Sequence, residues 1–352
     1  MREGRARQRR AIVRIVAGLL PFAVVCVCLA GVAVAETVPV DSLLVRAQRH
    51  LADGEADEAE TGFLEVLSIS KGEHRAEKGL AIVGLVRGDA DYAIEHARKA
   101  VKRDKRNSEY HLLLANGYGM KAQQGGLKAM FYGGKYKKEC ELAVKYDPAN
   151  VDAHVGLLYY YAYAPSIAGG GEKKVVATIE TITSLDPLRG ALAEAFWAEQ
   201  NEDDGTFEAA DIEAAYLEAT RIDSTNPDGW WGLAWFYLAR DRPAEAIPVL
   251  ERLVSLEPDE SLPVYQLAKA RLLAGDDLAA AEAGFREFIA AGKESGQVTI
   301  ASAHWRLGQV FEKAGRPSEA RVEWETALSL DAEHEGAREA LSRLAEAQLE
   351  TE

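Results

Sequence analysis

Cysteine is nearly absent from this chain, with three residues in 352, Cys26, Cys28 and Cys140. A chain that loses its first 35 residues keeps Cys140 alone. It can form no intrachain disulfide, so an exported fold would rest on packing. Positive charge is also short: 41 Lys and Arg stand against 56 Asp and Glu, a formal net charge of −15. A body this acidic does not gather nucleic-acid phosphates non-specifically. Catalytic and metal-binding spacings are missing too. His334-Glu335 lacks the second His of a helical zinc site, and no Gly-x-Ser-x-Gly elbow or Gly-x-x-x-x-Gly-Lys-Ser/Thr loop occurs. A calcium loop centred on Gly205 would place Gln200 and Asp211 where a carboxylate and a bidentate Glu are needed. The expectation is a protein that is not an enzyme, with no catalytic residue, cofactor or metal.

What is present begins with a segment unlike the rest. Arg2, Arg5, Arg7, Arg9, Arg10 and Arg14 form a basic head, and Ile15 to Ala35 is wholly apolar or small. The stretch ends Ala33-Val34-Ala35 before Glu36, a small-x-small cleavage pattern. Residues 1–35 therefore read as a secretory signal, and the mature protein as periplasmic or secreted. The rival reading keeps residues 15–35 as an inner-membrane anchor facing the periplasm, since 21 apolar residues span a bilayer. The two part at the mature N-terminus, which is Glu36 only for the cleaved form. Cleavage removes net positive charge and leaves a body of about −20.

The remainder is self-similar. Gly229 to Pro258, "GWWGLAWFYLARDRPAEAIPVLERLVSLEP", aligns with Ala303 to Ala332, "AHWRLGQVFEKAGRPSEARVEWETALSLDA". Both run apolar, small, aromatic, a polar break, Ala, then a second apolar helix. This resembles the tetratricopeptide repeat (TPR), a 34-residue helix–turn–helix unit. Counting from Pro227, Trp230, Leu233, Ala234, Tyr237, Ala246 and Pro258 fall on the positions that the family favours. Small residues recur at the eighth position (Ala47, Ala81, Ala115, Ala234, Ala268, Gly308) and the twentieth (Ala59, Ala93, Ala246, Ala320). Two helices approach to about 8 Å only where facing residues are small. Pro148, Pro187 and Pro258 end their units.

The resemblance implies an all-α, right-handed superhelical solenoid of about eight helix hairpins over residues 40–350. Units start near Val40, His74, Ser108, Val151, Leu188, Pro227, Ser261 and Ala301, and Gly336 to Glu350 caps the end. Three units run long, at Lys121 to Lys135, Tyr163 to Lys174 and the acidic Glu199 to Glu208. These extra residues are expected to form loops, with Gly125-Gly126, Gly133-Gly134 and Gly169-Gly170-Gly171 supplying positive φ.

In this family ligands usually lie on the concave surface of the first helices. Carried over, that surface holds Asn116, Asp152, Tyr159, Trp231, Trp235, Trp305, Gln309 and Glu312. The tryptophans either anchor a partner's apolar side chains or pack between repeats. A second feature is charge: residues 98–145 carry twelve Lys and Arg against four acids. The lysines Lys121, Lys128, Lys135, Lys137 and Lys138 form either a patch for an acidic partner, an anionic lipid surface or a second copy, or a solvated helix face. His111, His154 and His304 share the fourth repeat position and read as packing residues, as Cys140 reads as a buried small hydrophobe. The expected function is a protein-binding scaffold of the bacterial cell envelope, gripping a peptide segment or partner helix. The alternative is a membrane-anchored assembly or chaperone-like factor. Membrane contact is expected only through a retained N-terminal segment.

Overall fold

The structure, a computed structural model, describes residues 38–203, 205–296 and 298–349. The leader with Cys26 and Cys28, Asp204 of the acidic turn and Glu350 of the cap lie outside the described residues. Among those described, the regular elements are all helical, apart from one isolated bridge between Ser295 and Val298.

The chain divides into two compact units, the first ending at Asp186 and the second starting at Pro187. The first holds four hairpins: α1 (Val38–Ala52) with α2 (Ala56–Ile69), α3 (His74–Arg87) with α4 (Ala90–Arg103), α5 (Ser108–Ala122) with α6 (Gly126–Tyr146), and α7 (Val151–Tyr163) with α8 (Glu172–Leu185). The second also holds four: α9 (Pro187–Gln200) with α10 (Ala209–Ile222), α11 (Pro227–Ala239) with α12 (Pro243–Leu256), α13 (Ser261–Ala274) with α14 (Leu278–Ala291), and α15 (Ile300–Lys313) with α16 (Pro317–Leu330). A last helix, α17 (Glu335–Leu349), packs on α16. The eight expected hairpins and the closing helix are therefore present. Pro148 and Pro258 lie in the turns between hairpins, while Pro187 opens α9, where its missing N–H is harmless.

A short polar device joins one hairpin to the next. Asp104, Asp147 and Asp223 end their helices, and each carboxylate accepts the amide N–H two residues on, at 2.9–3.1 Å. Three residues after each Asp stands Asn107, Asn150 or Asn226, whose side chain caps the following helix by accepting from Tyr110, Ala153 or Asp228. These bonds satisfy helix-end amides that would otherwise have no partner. Asp331 and His334 repeat the device, with His334 Nδ1 accepting from Ala337 N at 3.2 Å.

Inside each hairpin, small residues set the spacing. The alanines at the eighth and twentieth positions are buried. A Cβ on Gly62 would lie 2.8 Å from the Ala47 Cβ, and one on Gly284 would lie 2.9 Å from the Ala268 Cβ. Around these close approaches Phe63, Phe236, Phe285, Phe311 and Trp324 fill the seams and are fully buried. Four pairs of first helices from neighbouring hairpins also touch, α1 with α3, α3 with α5, α9 with α11 and α13 with α15. No pair of described second helices within a unit comes as close. These first helices thus lie closer to one another than the second helices do.

The insertion in the third hairpin corrects an expectation. Only Gly125 and Gly126 take positive φ, +77° and +58°, and the chain then enters a helix of 21 residues. Gly133 and Gly134 sit inside α6, not in a loop. The extra residues lengthen the second helix because Tyr132 and Tyr136 pack against the core formed by α3, α4 and α5 and hold it, which outweighs about 1 kcal/mol per helical glycine. The fourth hairpin's insertion is a loop, with a single 3₁₀ turn at Ser166–Ala168 and positive φ at Gly169 and Gly171. Gly170 is fixed differently: a Cβ there would lie 1.9 Å from the Ala164 carbonyl oxygen.

Candidate partner-binding surfaces

In the first unit, Asn116 rides on α5 and Tyr159 on α7. The Asn116 amide nitrogen is buried and makes no hydrogen bond. A buried donor left unpaired costs about 1–3 kcal/mol. Tyr159 is partly buried.

In the second unit, Trp231 and Trp235 lie one turn apart on α11 and stack at 5.8 Å between ring centroids and 19° between planes. Trp231 is only 4% exposed, and its indole N–H donates to the Glu257 carboxylate at 2.7 Å. Trp235 keeps part of its ring surface. Trp305 is seated beneath the start of α17: its ring lies 5.3 Å from that of His334, and a Cβ on Gly336 would meet it at 2.6 Å. The Arg306 guanidinium covers it at 4.1 Å and donates to Gln309 at 2.9 Å. The structure thus joins Trp231 to Trp235, and Trp305 to Gln309 through Arg306. The ring of this set best placed to meet a partner is Trp235.

The five lysines occupy α5 and α6 in different states. Lys121 pairs with Asp91 at 2.5 Å, and Lys128 donates to Gln124 at 2.6 Å. The Lys135 ammonium lies among three rings, 3.8 Å from Phe131, 5.2 Å from Tyr132 and 5.5 Å from Tyr118. Lys137 reaches Glu141 at 3.5 Å and sits over Tyr160, and Lys138 is exposed. Beside them Leu127, Met130 and Phe131 stand exposed. Sequence reasoning missed these three. Their i, i+3, i+4 spacing becomes visible only once residues 126–138 are read as helix.

The histidines are structural. His111 meets Glu139 and His304 meets Glu323, both at 2.6 Å, across their own hairpins. His154 meets the Pro148 carbonyl at 2.9 Å. Cys140 is fully buried, and burial holds its thiol well above the usual thiol range.

Residues 227–272, which are α11, α12 and most of α13, match the tetratricopeptide repeat family model. The fold is that of a TPR protein. Yeast Tom70 superposes with a TM-score of 0.59 at 14% identity, over 99% of this chain and 72% of Tom70. A TPR protein of Thermus thermophilus gives 0.42 at 18% identity, over 66% of this chain and 99% of its own. PilF of Pseudomonas aeruginosa gives 0.45 at 15%, over 69% and 99%. No curated protein matches the sequence significantly. In a TPR stack, each unit packs on its neighbours and leaves an extended inner surface for binding.

Proposed function

We propose that this TPR chain is a non-enzymatic protein-binding scaffold of the bacterial cell envelope, and that a peptide segment or helix of its partner lies along the first-helix face. The observation that carries this reading is Trp235, which keeps part of its surface on a first helix while its ring is held by stacking on the buried Trp231. Helices already ordered lose little further entropy on binding. In the second unit, the remaining surface of Trp235, backed by Trp231, suits an apolar side chain. The basic, apolar leader of residues 1–35 supports export to the envelope.

The test is an affinity pull-down from envelope extract with Asn116→Ala and Trp235→Ala, each shown by circular dichroism to stay folded. Trp231 and Trp305 are poor choices, because their burial would confound lost binding with lost stability. The expected outcome is that bound proteins fall about tenfold for at least one variant, the loss of one good interfacial contact. Unchanged capture by both variants would move the binding surface elsewhere.

A further inference from the structure

We infer that the insertions of the third and fourth hairpins together form a docking surface for an anionic lipid bilayer. Both insertions interrupt the repeat, and the fold sets them side by side. The Lys137 ammonium, on α6, lies 5.5 Å from the Tyr160 ring and 6.0 Å from the Tyr161 ring of α7. A Cβ built on Gly169 would lie 3.4 Å from the ammonium groups of both Lys137 and Lys174. A Cβ on Gly133 would lie 3.8 Å from the Tyr160 ring.

The apolar side chains on this surface point to solvent. Leu127, Met130 and Phe131 form one stripe along the first two turns of α6 and are 85%, 79% and 60% exposed. Ile167, at the tip of the neighbouring loop, is 99% exposed. The stripe is held outward because Tyr132 on the second turn and Tyr136 on the third are anchored in the core, Tyr132 stacking on Tyr118 at 6.0 Å. A clustered set of exposed large apolar residues marks an interaction site rather than ordinary surface.

The charge around the stripe names the occupant. From Tyr110 to Lys138 the chain carries five lysines and no Asp or Glu, within a protein of net charge −15. An anionic surface attracts this region and repels the rest, which fixes the orientation of approach. The apolar groups stand on a convex helix stripe and a loop tip. That shape suits a soft, flat layer that admits protruding side chains to headgroup depth, with lysines at the phosphates. No described helix is long and apolar enough to cross a membrane, so the contact is peripheral. It is independent of residues 15–35, and it selects the anionic lipid surface among the occupants that the sequence offered for these lysines.

The test is co-sedimentation with vesicles of phosphatidylcholine alone or with about a third phosphatidylglycerol. It uses the chain from Glu36 onward, which contains every described helix and core residue, with its fold verified by circular dichroism. The chain should bind the anionic vesicles, bind the neutral ones at least about tenfold more weakly, and dissociate with salt. Leu127→Ser/Met130→Ser/Phe131→Ser should lower binding at least about tenfold without loss of helix, since all three side chains are exposed. Lys128→Gln/Lys138→Gln should weaken it and flatten the salt dependence. Equal binding to both vesicles, or undiminished binding by the triple variant, would overturn the inference. So would no vesicle binding together with an envelope protein captured by the parent and lost with the triple variant, which would assign the surface to a protein.

Discussion

At the scale of single residues, a histidine–glutamate hydrogen-bond register runs through the hairpins. His304 and Glu323 lie nineteen positions apart, as do Glu77 and His96 with the two residue types exchanged. His111 and Glu139 are separated by 28, the same spacing enlarged by the insertion. Burial alone would lower the His111 pKa, but the Glu139 carboxylate and the Lys105 carbonyl outweigh it and raise the value above 6.5. A raised folded-state pKa gives stability that is fully present below pH 6.5 and lost as pH rises through the folded value. His111→Gln should therefore cost most stability below that pH, and the deficit should shrink as pH rises past the folded value. Urea midpoints of parent and variant measured from about pH 5.5 to 8.5 check this. A deficit that grows with pH would contradict it. The fourth repeat position marked His111 as a packing residue in the sequence. Its carboxylate partner was not legible, because Glu139 falls into register only when the added residues are helical.

At the scale of elements, the hairpins rest on close approaches that admit no extra atom. A Cβ on Gly308 would lie 2.3 Å from the Trp324 indole nitrogen, and that indole is locked in place by donating to the Trp305 carbonyl at 3.1 Å. Gly308→Ala should destabilise the second unit by about 1–3 kcal/mol, read from chemical denaturation. A neutral substitution would show that α15 and α16 can move apart freely. These positions were legible because close packing dictates residue size at a fixed period. The lengthened α6 was not, because Gly-Gly pairs favour turns locally, and only the tertiary anchors Tyr132 and Tyr136 reverse that preference. The Asp-x-x-Asn turns were in plain view at residues 104–107, 147–150 and 223–226, yet their meaning depends on the helix ends they join.

At the scale of the whole molecule, two four-hairpin units each present a face of first helices, and the candidate contacts divide between them: Asn116 in one, Trp235 in the other. The sequence marked both residues through the repeat register. It also marked Trp231 and Trp305, because register gives the face of a helix but not the depth of a ring. Burial of Trp231 and the seating of α17 over Trp305 are properties of the assembled stack. In the proposed function, a protein partner lies along the first helices. Photo-cross-linking in cells tests it most directly, with a light-activated side chain placed in turn at Asn116, at Trp235 and at the exposed second-helix residues Leu217 and Val322. Discrete protein adducts are expected at Asn116 or Trp235 and none at Leu217 or Val322. Adducts confined to Leu217 and Val322, or none at any of the four, would contradict it.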